Sequence, residues 1–385
     1  MPAGSGTRRA IQSRLGERPC LPAGQGRIAA IDMARGIAIA LMILSHTVSG
    51  LLGIDRMPDW GMVPIHLLTK FSSSLFIMVF GIALAVAFLP KTDAADWPQR
   101  RLRLLLRGLE VLFWYKVLTV VEMLPAYPVA DIIDTLLYQR SAIWVEILGF
   151  YAIALLWLPW ALPLWRRMPL WSRLASPLAI ALLAGWLERH FGFWGIEPLK
   201  AIIVEDADHY TWGQLSRLPL VMLGLLVGEA VLRCHGQPAL RRRLVNLLAA
   251  AGVLMLLGFL ALSWPGLYSW SGLYAALRAV AHNAGKHPPE LAFMLFSLGG
   301  ALVILALCLS VGARAAGWLR PIAVIGSDAL KAFIFHIVVI FGVLRWLMEG
   351  WQVYSYPQVL GIGVLLVLAT ALWISLIRWI RERTA

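Results

Sequence analysis

Charge is scarce in this chain: only 14 % of its 385 residues are Asp, Glu, Lys or Arg, where a soluble domain would carry roughly a quarter. Cysteine is scarcer. Cys20, Cys234 and Cys308 are the only three, and they lie too far apart in sequence for a ligand cluster or a disulfide framework. The expectation is therefore no metal and no thiol chemistry. There is no zinc-finger spacing, no Walker or dinucleotide-type glycine pattern, and no repeat of fixed period.

What fills the chain instead is apolar sequence, 60 % of all residues, with a mean hydropathy of +0.74. No water-soluble core needs so much, so the surplus must face lipid. Ten runs approach the ~20 residues that cross a ~30 Å hydrocarbon core. They fall near 28–53, 66–89, 103–125, 141–164, 171–187, 214–233, 244–264, 289–312, 328–348 and 358–380. The fold class expected is all-α: a polytopic membrane protein of about ten helices, forming one domain over 27–385. Residues 1–26, rich in Arg, Gly and Pro, read as a disordered basic cytoplasmic tail ahead of an uncleaved first span.

The net charge of +13 is a topology signal. With the N-terminus in the cytoplasm, the inner side collects Arg8, Arg9, Arg14, Arg18 and Arg27, then Lys91, Arg100, Arg101 and Arg103. Arg166, Arg167, Arg173, Arg233, Arg241, Arg242 and Arg243 follow, then Arg314, Arg320, Arg378, Arg381 and Arg383. The outer side receives Arg56, Lys70, Arg140, Arg189, Lys200, Arg217, Arg278, Lys286 and Arg345. That bias obeys the positive-inside rule and puts both termini inside, in a cell (inner) membrane. It leaves no footprint for nucleic acid; the partner is the bilayer, and a homodimer stays open. Tryptophans at span ends, such as Trp60, Trp97, Trp165, Trp171, Trp346 and Trp351, fit interfacial belts. The longest outer loops cover roughly 188–213 and 265–288. The first carries Glu197, Glu205, Asp206, Asp208, His209, Tyr210 and Trp212, which suits sugar contact or plain solvated surface equally.

Charges inside spans are costly and so are functional candidates. Asp32 and Arg35 fall in span 1, Arg107, Glu110, Lys116 and Glu122 in span 3, Glu146 in span 4, Asp328 and Lys331 in span 9. Arg107/Glu110 and Asp328/Lys331 have the spacing of pairs on one helix face. Lys116 lies deeper and needs a partner, for which Glu146 is the candidate; Glu122 reads as interfacial. Arg35 and His46 are eleven residues apart, almost three turns, so they share a face at roughly 16 Å separation, similar to the reach of a pantetheine arm. His336 is a second in-span histidine, either a satisfied core group or one that orients an acceptor. His66 reads as interfacial. His282 and His287 sit in the outer loop HNAGKHPPE.

The stretch Arg27–His46, RIAAIDMARGIAIALMILSH, resembles the first span of the acyltransferase-3 family, whose R-x10-H signature is matched by Arg35 and His46. It is also similar to the catalytic domain of heparan-glucosaminide N-acetyltransferase and its bacterial relatives, and to membrane glucan succinyltransferases, all of one broad transmembrane acyltransferase superfamily. Ser74–Gly81 (SLFIMVFG) and Ile325–His336 (IGSDALKAFIFH) are similar to later spans, with Phe80 standing where the acyltransferase-3 pattern has serine before the glycine. The resemblance implies transfer of an acyl group, acetyl first of all, from cytosolic acyl-CoA (acetyl-CoA) as co-substrate to a hydroxyl or amine of a glycan or lipid-linked sugar outside. It implies His46 and His336 for catalysis, with His46 as general base or acyl carrier. Arg35, Asp32, Arg107 and Lys331 are the candidates for the donor, and Glu146, Lys116 and His287 for the acceptor. The rival class is a transporter or exporter of a small anionic or sugar metabolite, against which stands the lack of an inverted repeat.

Overall fold

Apolar runs of this length have one low-energy form in lipid, since a helix satisfies every backbone N–H and C=O internally. A computed structural model describes residues 28–124, 126–142, 144–263 and 270–384, without the side chains of 312–316. The expected basic tail of 1–26 lies outside the described residues. In chain order the helices are α1 (Ala29–Leu51), α2 (Phe71–Ala87), α3 (Trp97–Met123), α4 (Val129–Leu136), α5 (Glu146–Arg167), α6 (Leu170–His190) and α7 (Glu197–Ile203). They continue as α8 (Gln214–Arg233), α9 (Pro238–Ser263), α10 (Trp270–Ala281), α11 (Leu291–Trp318), α12 (Arg320–Ser327), α13 (Ala329–Ile337) and α14 (Tyr356–Thr384). A π-helical stretch, Val338–Leu347, prolongs α13.

Among the described residues, nine helices are long and apolar enough to cross a bilayer. The tenth expected span, α3, has the length, 27 residues, but carries too many charges to qualify by composition. Packing supplies what composition does not. Gly108 abuts Ala152 and Leu155 while Gly149 abuts Tyr115, so α3 runs antiparallel along the spanning helix α5. Direction gives a second argument. His46 meets His336 and Gly50 meets Ile340, so α1 and α13 run parallel, while the short α12, with Ile322 against Gly36 and Gly326 against Asp32, runs antiparallel to α1. Gly81 meets Val221 and Gly228 meets Ala85, so α2 and α8 also run parallel. Both pairings require α3 to cross; without it each pair would be antiparallel. Among the described residues the protein is all-α, with ten helices crossing the membrane.

Two close approaches tie the centre together. A Cβ on Gly326 would lie 1.7 Å from the Asp32 carbonyl oxygen, and one on Gly36 would lie 1.9 Å from the Ile322 carbonyl oxygen. Lipid tails are as apolar as side chains, so helices in a membrane associate through such small-residue contacts rather than through hydrophobic burial. Gly326→Ala is expected to force α12 off α1 at a cost of about 1–3 kcal/mol or more. Thermal unfolding of the detergent-solubilised variant reads this, and an unchanged midpoint would contradict the tight crossing.

Candidate active site

α1 carries Arg35 and His46 on one face, and the segment Ile325–His336 meets that face at two points. Arg35 Nη1 donates to the Gly326 carbonyl at 2.9 Å and to Asp32 Oδ1 at 3.3 Å. Eleven residues on, His46 Nδ1 lies 3.1 Å from His336 Nε2, the rings stacked at 5.3 Å with 25° between planes. His336 Nδ1 sits 2.8 Å from the Ala332 carbonyl oxygen. A carbonyl only accepts, so His336 carries its proton on Nδ1 and its Nε2 is a lone pair. That lone pair must receive the N–H of His46 Nδ1. The proton order along the chain leaves His46 Nε2 unprotonated.

Among the described residues nothing hydrogen-bonds that nitrogen, and His46 lines a cavity of about 370 Å³. Trp144 and Phe333 pack edge-on against the imidazole at 6.0 and 6.1 Å. Trp144 is held in turn by its backbone N–H, which donates to Glu122 at 3.1 Å. Glu122 is 3 % exposed, a buried anchor for the Trp144 backbone.

Polar groups ring the same cavity: Ser45, Ser49, Thr69, Lys70, Ser72, Ser73, Ser141, Glu146, Thr211, Asn283, Lys286 and His287. Hydroxyls of Ser141 and Thr211 donate to the two carboxylate oxygens of Glu146. Lys70 Nζ donates to Asn283 Oδ1 at 2.8 Å and His66 Nε2 at 3.2 Å. His66 is therefore buried, 1 % exposed, contrary to the interfacial expectation. Lys70 and Arg217, counted from sequence as outer flanking charges, are 5 % and 3 % exposed. The hydropathy pattern places them at span ends, but the segments 205–213 and 282–290 pack against them.

Those loops close the cavity. One Nη2 of Arg217 spans both carboxylate oxygens of Glu205 at 3.0 and 3.1 Å. It also donates to the Lys286 carbonyl at 2.8 Å, joining the 205–213 segment to the 282–290 segment. His287 Nδ1 lies 2.7 Å from both Glu205 Oε1 and the Thr211 carbonyl. Burial pushes the Glu205 carboxyl upward and Arg217 pulls it back. Burial, then repulsion from Arg217, draws the Lys286 ammonium down to about 8. Burial, then Arg217 and Lys286, lowers His287 well below the ordinary histidine value. The acidic outer loop is thus split: Glu205 is interior, while Thr211 and Trp212 form cavity wall.

A second cavity, of about 410 Å³, lies toward the Arg35 end of the bundle. Its walls are Arg35, Phe76, Phe80, Leu104, Arg107, Leu148, Tyr151, Leu155, Asp328 and their neighbours, and it shares no lining residue with the first. The division is sharp on α5, where Ile147 lines one cavity and Leu148 the other, and on α2, between Ser73 and Phe76. Arg107 pairs with Glu110 at 2.7 Å and Lys331 with Asp328, as their spacing predicts.

The expected Lys116–Glu146 pair is absent. Lys116 Nζ donates to the Leu136 carbonyl at 2.7 Å and stands 3.7 Å over the Tyr138 ring, away from both cavities. A backbone carbonyl and an aromatic face satisfy an ammonium here, so it needs no carboxylate. His336 is fully buried behind His46 and off the cavity wall, so it cannot touch an acceptor directly. Lys70, Trp144, Tyr151 and Lys286 are site residues that the sequence reading did not select. For Lys70 the signal existed, a cation four residues inside the expected span 66–89.

Two cavities with no lining residue in common thus lie along α1, one at Arg35 and one at the paired histidine. Residues 27–195 match the family of the catalytic domain of heparan-alpha-glucosaminide N-acetyltransferase. Residues 118–381, more than half of the chain, match the OpgC protein family, and the chain belongs to that family. Neither match contains both His46 and His336; the fold brings them together. The nodulation protein NolL of Mesorhizobium japonicum (strain LMG 29417 / CECT 9101 / MAFF 303099) is 27 % identical over 175 residues, 43 % of this chain and 44 % of that protein. The chain thus spans less than half the length of that curated relative.

Proposed function

We propose that this protein moves an acyl group, acetyl in the simplest case, from cytosolic acyl-CoA to a hydroxyl or amine of a glycan or lipid-linked sugar at the outer face of the cell membrane. The observation that carries the reading is the His336–His46 chain, which leaves His46 Nε2 as a free base on a polar cavity while Arg35 faces a separate cavity at the other end of α1. His46 Nε2 takes the acceptor proton as the acceptor oxygen or nitrogen attacks the thioester carbonyl. The tetrahedral intermediate collapses with cleavage of the C–S bond, and the proton passes from His46 to the departing thiolate. Lys70 and Lys286 place N–H donors on the wall of the cavity in which the oxyanion develops. Trp144, Trp212 and the ring of hydroxyls suit a sugar, with apolar faces for the ring and acceptors for its hydroxyls.

Arg35, Asp32 and Arg107 are assigned to the donor side, with the Lys331–Asp328 pair fixing its rim. Glu146 and His287 are assigned to the acceptor side. The basic bias of the charges supports both termini in the cytoplasm and the Arg35 cavity facing the same way. The test is direct: purified protein with radiolabelled acetyl-CoA and candidate glycans should yield labelled glycan and free coenzyme A. No transfer to any glycan or lipid-linked sugar by folded protein would overturn the reading. Reporter fusions at residue 385 should report the cytoplasm, and an outside report would reverse the sidedness.

A further inference from the structure

Tyr151 is 7 % exposed, and among the described residues its hydroxyl has no hydrogen-bond partner. A buried hydroxyl left unmated is unfavourable, and native structures rarely keep one without a use. Three aromatic rings hold this side chain in place: Phe80 at 4.7 Å, Phe76 at 5.1 Å and Phe150 at 5.7 Å, all edge-to-face. Phe80 is the residue that stands where the acyltransferase-3 pattern has serine.

The place of Tyr151 gives the hydroxyl a meaning. It lines the Arg35 cavity, one helical turn from Ile147, which already belongs to the wall of the His46 cavity. One turn is about 5.4 Å of rise. Tyr151 therefore stands in the wall of the donor cavity within one turn of the boundary that an acyl group must cross to reach His46. The walls there, Phe76, Leu148 and Leu155, are apolar. A ligand held by its charged end at Arg35 would lay its apolar arm along these walls, past Tyr151.

Resting on the acyl-CoA reading above, we infer that Tyr151 is a donor-binding residue whose hydroxyl hydrogen-bonds the acyl end of the pantetheine arm, at the thioester carbonyl or the amide next to it. The charged end and the acyl end of the donor are then recognised separately, by Arg35 and by Tyr151, and a phenol aligned on the carbonyl sets its distance from His46.

The experiment measures binding of acetyl-CoA and of adenosine 3′,5′-bisphosphate, which carries the charged end alone, to full-length protein in detergent. Tyr151→Phe should weaken acetyl-CoA binding about tenfold, leave the bisphosphate unchanged, and leave thermal stability equal or raised because an unmated buried hydroxyl is gone. Arg35→Ala should weaken both ligands. Wild-type affinity for acetyl-CoA in Tyr151→Phe would overturn the inference and leave the acyl-CoA reading standing. A loss shared by both ligands, or a drop in stability, would make Tyr151 a packing residue and overturn it equally. Wild-type protein that binds neither ligand would remove the donor reading itself.

Discussion

His46→Gln should lose turnover by about 10²–10⁴-fold while folding and donor binding stay near wild type. Glutamine is similar in size and can still bond His336, so packing is kept; what it lacks is a nitrogen that accepts a proton and returns it. The hydrogen-bond chain sharpens the expectation. His46 Nε2 is basic only because Nδ1 holds the proton, and Nδ1 holds it because His336 Nε2 accepts it at 3.1 Å. His336→Gln keeps an acceptor in that place and should retain much of the activity. His336→Leu removes it, frees the imidazole to take the wrong tautomer, and should cost on the order of 10²-fold or more in kcat with little change in KM. Near-wild-type turnover by well-folded His46→Gln would defeat the catalytic assignment. Equal kcat in His336→Leu and wild type would defeat the tautomer argument alone.

Arg35→Ala is the second large effect: acyl-CoA affinity is expected to fall about 10- to 100-fold, the size of a charge-assisted bond to phosphate. Arg35 also bonds the Gly326 carbonyl at 2.9 Å, so the same change loosens the α1–α12 crossing. Two further measurements separate these roles. Thermal stability reads the crossing, which Arg35→Lys should largely restore. Affinity should recover only in part with lysine, because an ammonium is a point donor without the planar fork that grips phosphate. Full affinity in a stable Arg35→Ala preparation would show that the arginine is architectural.

Sequence reasoning went furthest where the physics is local. The α1 face is an example: Arg35 and His46 share it because the helical repeat is fixed at 3.6 residues, and the structure places both on cavities as that spacing requires. The i,i+3 pairs of Arg107 with Glu110 and of Asp328 with Lys331 are local for the same reason. The reading failed wherever a group had a choice of distant partners. Lys116 takes a carbonyl and a tyrosine ring in place of Glu146, and Glu146 takes two hydroxyls.

From the sequence alone come the membrane environment, nine of the crossings and the shared stripe of Arg35 and His46, because bilayer thickness and helical period act on each segment separately. Only the tertiary structure decides that His46 meets His336, 290 residues away, that Lys70 and Arg217 are buried against the 205–213 and 282–290 segments, and that α1 lines two cavities with no lining residue in common. The reason is that apolarity tells a helix to enter lipid but not which neighbour to choose there. That choice is made by backbone-close contacts such as Gly36 and Gly326, and by the few polar groups that must find one another.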